Sequence, residues 1–152
     1  MEGPNLFIGI DPGKSGGVAA ITPGLSIAHK CPGTVADMTN ILLNICDLGN
    51  NPICVIEAVH SMPGQGVKSV FTFGYNYGNW IGILSALQIP YIQVTPQKWM
   101  RHYGTTRPKD KTARKNYLKH LAQQRYPKLH TTLATADAIL IAHYAMDNYK
   151  HA

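Results

Sequence analysis

An apolar run that ends in an acid and is followed at once by Pro-Gly, Asn5-Leu-Phe-Ile-Gly-Ile-Asp11-Pro-Gly-Lys-Ser-Gly-Gly17, constrains this chain more than any other stretch. Leu6, Ile8 and Ile10 fall on one face at period two, which reads as a central strand. Asp is depleted from strand interiors, and the glycines at 13, 16 and 17 keep side chains away from it, so Asp11 is placed to meet whatever binds there. The alternative is an Asp that opens an ordinary Asp-Pro-Gly-Lys turn.

The 152 residues are 45% hydrophobic, enough for one globular domain, residues 1–152, with a real core. Cys31, Cys46 and Cys54 are odd in number and show no C-x-x-C spacing, which speaks against a disulfide framework or a zinc site and for a reducing compartment. The N-terminal residues lack the pattern of a signal peptide, and no apolar run approaches the ~20 residues of a membrane span. A soluble, unsecreted protein is expected.

The net charge of +6 is concentrated: Lys98, Arg101, Arg107, Lys109, Lys111, Arg114, Lys115, Lys119, Arg125 and Lys128 share their stretch with one acid, Asp110. A solvated helix face usually mixes Glu with Lys, so this density points to a phosphate backbone as partner.

The order of elements is α/β. After the first strand, Gly17–Thr22 and Leu25–Lys30, joined by Pro23-Gly24, complete an antiparallel meander. Thr34 caps a helix to about Asp47, with Val35, Met38, Ile41, Leu42 and Ile45 on one face. Pro52–Glu57 is an apolar strand of the buried, parallel kind, and it too ends in an acid. Neighbouring strands would bring Asp11 and Glu57 to one sheet edge, within reach of one divalent cation; the alternative is an unrelated pair of turn residues.

A loop, Ala58–Gly66, leads to a helix over about Val67–Leu87. Glycines at 74, 78 and 82 share a face of it, and since each costs ~1 kcal/mol relative to Ala, that face must serve close approach of the sheet or of a second subunit. Phe71, Phe73, Tyr75, Tyr77 and Trp80 cover core or interface, or stack on bases. Pro90–Val94 is the fifth strand, Thr95-Pro96 begins a helix with an N-cap and Pro at N1, and Gly104–Asp110 is a polar, basic loop. Lys111–Gln124 is helical with Ala113, Tyr117, Leu118 and Leu121 inward. The last helix, Thr132–Tyr149, turns Ala136, Leu140, Ile141 and Tyr144 to the core and sets Asp137 at their border. Asp137 is either a third ligand or an acid favoured by the helix dipole.

Ile8-Gly-Ile-Asp-Pro-Gly-Lys-Ser-Gly16, Val55-Ile-Glu57, Met62-Pro-Gly-Gln-Gly66, Phe73-Gly-Tyr-Asn-Tyr-Gly78, Val94-Thr-Pro-Gln-Lys-Trp99, Pro108-Lys-Asp-Lys111 and Ala136-Asp-Ala-Ile-Leu-Ile-Ala142 together resemble the RuvC-type Holliday junction resolvases, most of all their compact phage and bacterial branch. The resemblance runs in order from Leu6 to Tyr144. It implies an RNase H-like fold: a five-stranded mixed sheet, three antiparallel strands then two parallel, with helices on both faces. It also implies a homodimeric endonuclease that uses two Mg²⁺ or Mn²⁺ ions per site to nick a four-way DNA junction symmetrically, in the cytoplasm of a bacterial or phage-infected cell.

On that resemblance Asp11 bridges the metals, and Glu57 and Asp137 complete the site. Lys14, His60, Gln65, Lys68, Arg107, Lys109, Lys111, Arg114 and Lys115 would meet DNA, while Phe73, Gly74, Tyr77, Gly78 and Ile81 would line the dimer interface. One position departs from the family. Where a second Asp or a His usually stands one turn before the last acid, this chain has Ala134. An inactivated site, substitution by His130 or by Thr131, Thr132 or Thr135, and a site completed by water are all open. So are two other functions: a silent module that binds branched DNA, and a nuclease for other branched or flapped DNA.

Overall fold

The computed structural model describes residues 2–58, 63–104 and 109–152. The meander forms as expected: β1 (Leu6–Asp11), β2 (Gly17–Thr22) and β3 (Leu25–Lys30) pair antiparallel in sequence order. β4 (Pro52–Glu57) then lies parallel to β1, and β5 (Tyr91–Val94) parallel to β4, giving one sheet of order β3-β2-β1-β4-β5. Both parallel joins cross over through a helix, as such joins must. The fifth strand begins at Tyr91, one residue later than the sequence suggests; Pro90 contributes only its carbonyl, which accepts from the Cys54 amide at 2.9 Å.

Strand alternation divides the core in two. Leu6, Ile8, Ile10, Cys54 and Ile56 face α1 (Val35–Cys46) and α2 (Val67–Ala86) and bury Met38, Leu42, Ile45, Trp80 and Leu84 against them. Phe7, Ile53, Val55 and Val94 face the other side, where α3 (Pro96–Arg101), α4 (Lys111–Arg125) and α5 (Leu133–Tyr149) pack. By the same period of two, Asp11 and Glu57 belong to the α5 side.

The helix starts follow their caps. Thr34, Thr95, Asp110 and Thr132 each accept from an amide of the first turn, and Thr132 with Thr135 forms a reciprocal capping box. α5 is apolar nearly all round because it lies across β1 and β2. A side chain on Gly9 would run into Ala138 and Ala142 of α5, and one on Gly17 would come within 2.7 Å of the Ala134 carbonyl, so these two glycines let the helix rest on the sheet backbone.

One alternative is removed and one expectation fails. Gly74, Gly78 and Gly82 do not meet the sheet: a Cβ on any of them would find open space. The sheet instead takes the opposite face of α2, through Trp80, Ile83 and Leu84. Ala113, placed inward by helical period, is exposed, because burial of α4 in the shared core begins only at Leu118 and Ala122. The cysteines are free, and among the described residues no helix is long and apolar enough to cross a membrane.

Candidate active site

The parallel register pairs Ile10 with Ile56, so Asp11 and Glu57 end adjacent strands side by side. Asp11 stands where β1 gives way to the Pro12-Gly13 turn, with its Oδ1 3.5 Å from the Gly13 amide. Gly16 is required there, since a Cβ would overlap the Asp11 backbone and come within 2.9 Å of its Cγ. Gly13 is not: a Cβ would sit at an ordinary 3.8 Å from Oδ1. Of the glycines expected to clear space around Asp11, those at 16 and 17 are held by close approach.

Asp137 arrives from α5. The helix begins at Leu133, so Asp137 lies past its first turn, beyond the best reach of the helix dipole. It stands next to Ala138, whose carbonyl lies over Gly9, two residues from Asp11 on the same strand face.

Electrostatics tie the three acids together. Burial pushes the Asp11 carboxyl up to about 6, against the pull of the Gly13 amide and the Lys115 charge. Asp137 rises to about 7, through burial and then the Asp11 charge, with Lys115 and Arg114 opposing. Glu57 rises furthest, to about 8, from burial first, then Asp11 and Asp137, with a hydrogen bond from Trp99 opposing. Three half-buried acids thus share one edge with too little positive charge to balance them. Among the described residues no group of three or more His, Cys, Asp or Glu forms a ready-made metal site.

Position 134 offers only a methyl group. Ala134 is the second residue of α5, half-buried, and its carbonyl lies over Gly17, the partner of Asp11 across the β1–β2 ladder. Among the substitutes suggested by sequence, the Thr132 and Thr135 hydroxyls are engaged in the capping box, and His130 is exposed in the α4–α5 connection. Thr131 is buried, with no hydrogen-bond partner for its hydroxyl among the described residues.

The basic residues fall into two groups. Arg114 and Lys115, on the first turns of α4, act on the acids, whereas Lys109 and Lys111 lie exposed at the start of that helix. Lys14 and Lys68 both line a cleft of about 290 Å³ beside α2, together with Thr72, Phe73 and Asn76. Lys14, Thr72 and Asn76 continue into a larger cleft of about 450 Å³ that adds Lys30, Cys31 and Trp80. Gln65 is exposed just ahead of α2, and His60 and Arg107 lie outside the described residues.

The interface residues expected on α2 do share a region: Gly74 and Gly78 are exposed, and Phe73, Tyr77 and Ile81 are half-buried. Tyr77 is partly committed within the chain, its hydroxyl donating to Gln93 Oε1 at 2.7 Å. Beside them Val67, Phe71 and Tyr75 are 88%, 72% and 58% exposed, a larger apolar stripe than the sequence pattern singled out.

Sequence reasoning missed Trp99 as a member of the site. Its Nε1–H donates to Glu57 Oε2 at 2.7 Å while the indole itself is fully buried. It missed Lys30 as well, which reaches the cleft only because β3 ends beside the Asp11 turn.

The sheet order, the mixed strand directions and the helices on both faces define the RNase H-like fold, with the carboxylates at the edge where its parallel strands end. Among solved structures, Thermus thermophilus RuvC in complex with a Holliday junction substrate shares this architecture, with a TM-score of 0.67 at 12% identity over 95% of this chain and 96% of that one. A second Thermus thermophilus RuvC structure has a TM-score of 0.59 at 14% identity, covering 93% and 95% of the two chains. The resemblance read from the motifs thus holds at the level of the fold, nearly end to end. No protein-family model matches the sequence, and no curated protein does.

Proposed function

We propose that this protein is a structure-selective endodeoxyribonuclease that resolves four-way DNA junctions. The observation that carries the proposal is the edge at which Asp11 and Glu57 end adjacent strands and the Asp11 charge raises the proton affinity of both Glu57 and Asp137, backed by Arg114 and Lys115. An acidic edge facing DNA repels phosphate unless a cation intervenes, and surplus negative charge with hard oxygen donors suits Mg²⁺ or Mn²⁺. The donor set fits such ions in kind, and two would be held per site. When bound, they supply the charge that makes water a nucleophile near neutral pH and stabilises the departing 3′-oxygen.

The chain's own part is to hold and orient. Asp11, whose charge acts on both other acids, would be the shared ligand, with Glu57 and Asp137 completing the site. Arg114 and Lys115 hold the scissile strand's phosphates, and Lys109, Lys111, Lys14 and Lys68, with His60, Gln65 and Arg107, follow the arms. The exposed stripe and small-residue face of α2 pair two copies, and a two-fold protein on a two-fold junction gives paired, symmetric nicks. The RuvC neighbour solved with a Holliday junction substrate supports this choice of DNA.

Ala134 favours a second reading, a domain that grips the junction without cutting it. Loss of a ligand that acts in the transition state costs several kcal/mol, and each ~1.4 kcal/mol is tenfold in rate. The deciding experiment is cleavage of an end-labelled synthetic four-way junction in Mg²⁺ and in Mn²⁺, beside linear duplex, by the protein and by Ala134→Asp. Paired nicks by the protein itself establish a resolvase; tight junction binding with cutting only by Ala134→Asp establishes the silent binder. Equal action on duplex and junction would overturn both.

A further inference from the structure

We infer that Trp99 is a positioning residue for Glu57: its indole N–H engages Oε2 and so turns Oε1 toward a cation shared with Asp11. The inference rests on the proposed role of Glu57 as a metal ligand.

The backbone of Glu57 is pinned from the β5 side. Glu57 is in register with Val94, and the Ala58 amide donates to the Val94 carbonyl at 2.8 Å. What remains free is the side chain. β5 runs straight into α3 through Thr95, whose hydroxyl accepts from the Lys98 amide at 3.3 Å, and Pro96, which presets the first helical turn. This stiff connection puts Trp99 one helical turn beyond the strand that flanks Glu57.

The indole is fixed in turn. It is wholly buried and meets the Tyr103 ring edge-on, with centroids 6.4 Å apart at 74°. The Tyr103 hydroxyl donates to the Leu140 carbonyl, three residues past Asp137 on α5. His102 lies 2.8 Å from Asp147 of the same helix. Trp99 therefore joins the helix that carries Asp137 to the carboxylate that ends β4.

A wholly structural Trp in this core would need an acceptor for its N–H, and Tyr103 nearby finds one in a helix carbonyl. Trp99 instead uses a half-buried carboxylate that repels its two neighbours. A carboxylate with one oxygen already accepting a fixed N–H has its rotation stopped, and the other oxygen, with both lone pairs open, is the better donor to a cation and has a fixed direction.

The test is Trp99→Phe in the full chain, which keeps a buried ring and removes the donor. Expected are unchanged junction binding in EDTA, Mn²⁺ affinity lowered ~10-fold or more in a binding titration, and cutting lowered at least as much, the scale found for outer partners of metal ligands. Unchanged Mn²⁺ affinity with wild-type cutting overturns the role of Trp99 and leaves the nuclease reading intact. A wild-type protein that neither binds Mn²⁺ nor cuts overturns the nuclease reading itself. Should Trp99→Phe fail to fold, the wild-type protein decides: of its two indole N–H resonances, assigned with Trp80→Phe, the Trp99 signal should shift in step with Mg²⁺ binding and again in Glu57→Gln. An unmoved Trp99 signal while Mg²⁺ binds overturns the inference.

Discussion

At the scale of the residue, the acids are held in a state they would not choose. Asp11, at about 6 against an ordinary 3.8, holds its proton more tightly in the folded protein than in the unfolded chain. The sign of the linkage follows: the folded-state value lies above the unfolded one, so the stability contributed is complete below about pH 4 and is lost as pH rises through the range of 6 to 8 set by Asp11, Asp137 and Glu57. In EDTA, Asp11→Asn should melt close to the wild type near pH 3 and above it at pH 9, by about 1–3 kcal/mol. Added Mn²⁺ should stabilise the wild type at pH 8 and leave the variant nearly unmoved, and the variant should bind a junction in EDTA at least as well while cutting none of it. A pH-independent difference in melting would remove Asp11 from the coupled set.

The two strand-end acids were readable in the sequence, since a carboxylate that closes an apolar strand stands out against the run before it. Trp99 was not readable as their partner. Its motif position resembled that of the RuvC-type resolvases, but a buried indole looks like core filling until the acceptor of its N–H is known. The exposed Ala113 and the dispensable Gly13 were misplaced for a related reason: helical period and residue type give a direction, not the extent of the neighbour that lies there.

Among the elements, α5 decides whether there is a site. Asp137 reaches the edge only because the helix lies on bare backbone at Gly9 and Gly17. In Gly9→Ala the new methyl would meet Ala138 and Ala142, backbone atoms that cannot rotate away. A loss of about 1–3 kcal/mol or more is expected from such overpacking, with cutting reduced beyond what the lowered melting temperature explains, as Asp137 is displaced. Gly24→Ala, at a turn with nothing within 4 Å of the added carbon, is the control and should melt within about 0.5 kcal/mol of the wild type. Comparable losses in both would mean that α5 does not depend on the close approach.

For the whole molecule, α2 is the element whose exposed face the fold does not explain. Its glycines have open space around them, and Val67, Phe71 and Tyr75 stand out beside them, with the Phe71 and Tyr75 rings stacked at 6.4 Å. On the proposed function a second copy of the chain covers this face, as paired nicking would require. Gly78→Glu should leave the monomer folded, since its Cβ meets nothing and a helical glycine is replaced, with a gain of ~0.5 kcal/mol in helix propensity. It should turn a dimer into a monomer in sedimentation velocity and convert paired junction cuts into single nicks. A variant that remains dimeric would move the interface elsewhere.

The sequence by itself determined the strands and helices, their order, and the two acids that close β1 and β4, because these follow from local period, caps and turn residues that act within a few positions. It also carried the resemblance to the RuvC-type resolvases, which the shared fold bears out at 12% and 14% identity. Tertiary structure alone decided that Asp137 joins those acids, that Trp99 holds one of them, and that the α2 glycines look outward. Each of these depends on the separation of backbones distant in sequence, set by which face of the sheet a helix covers and how closely the residues beneath let it approach.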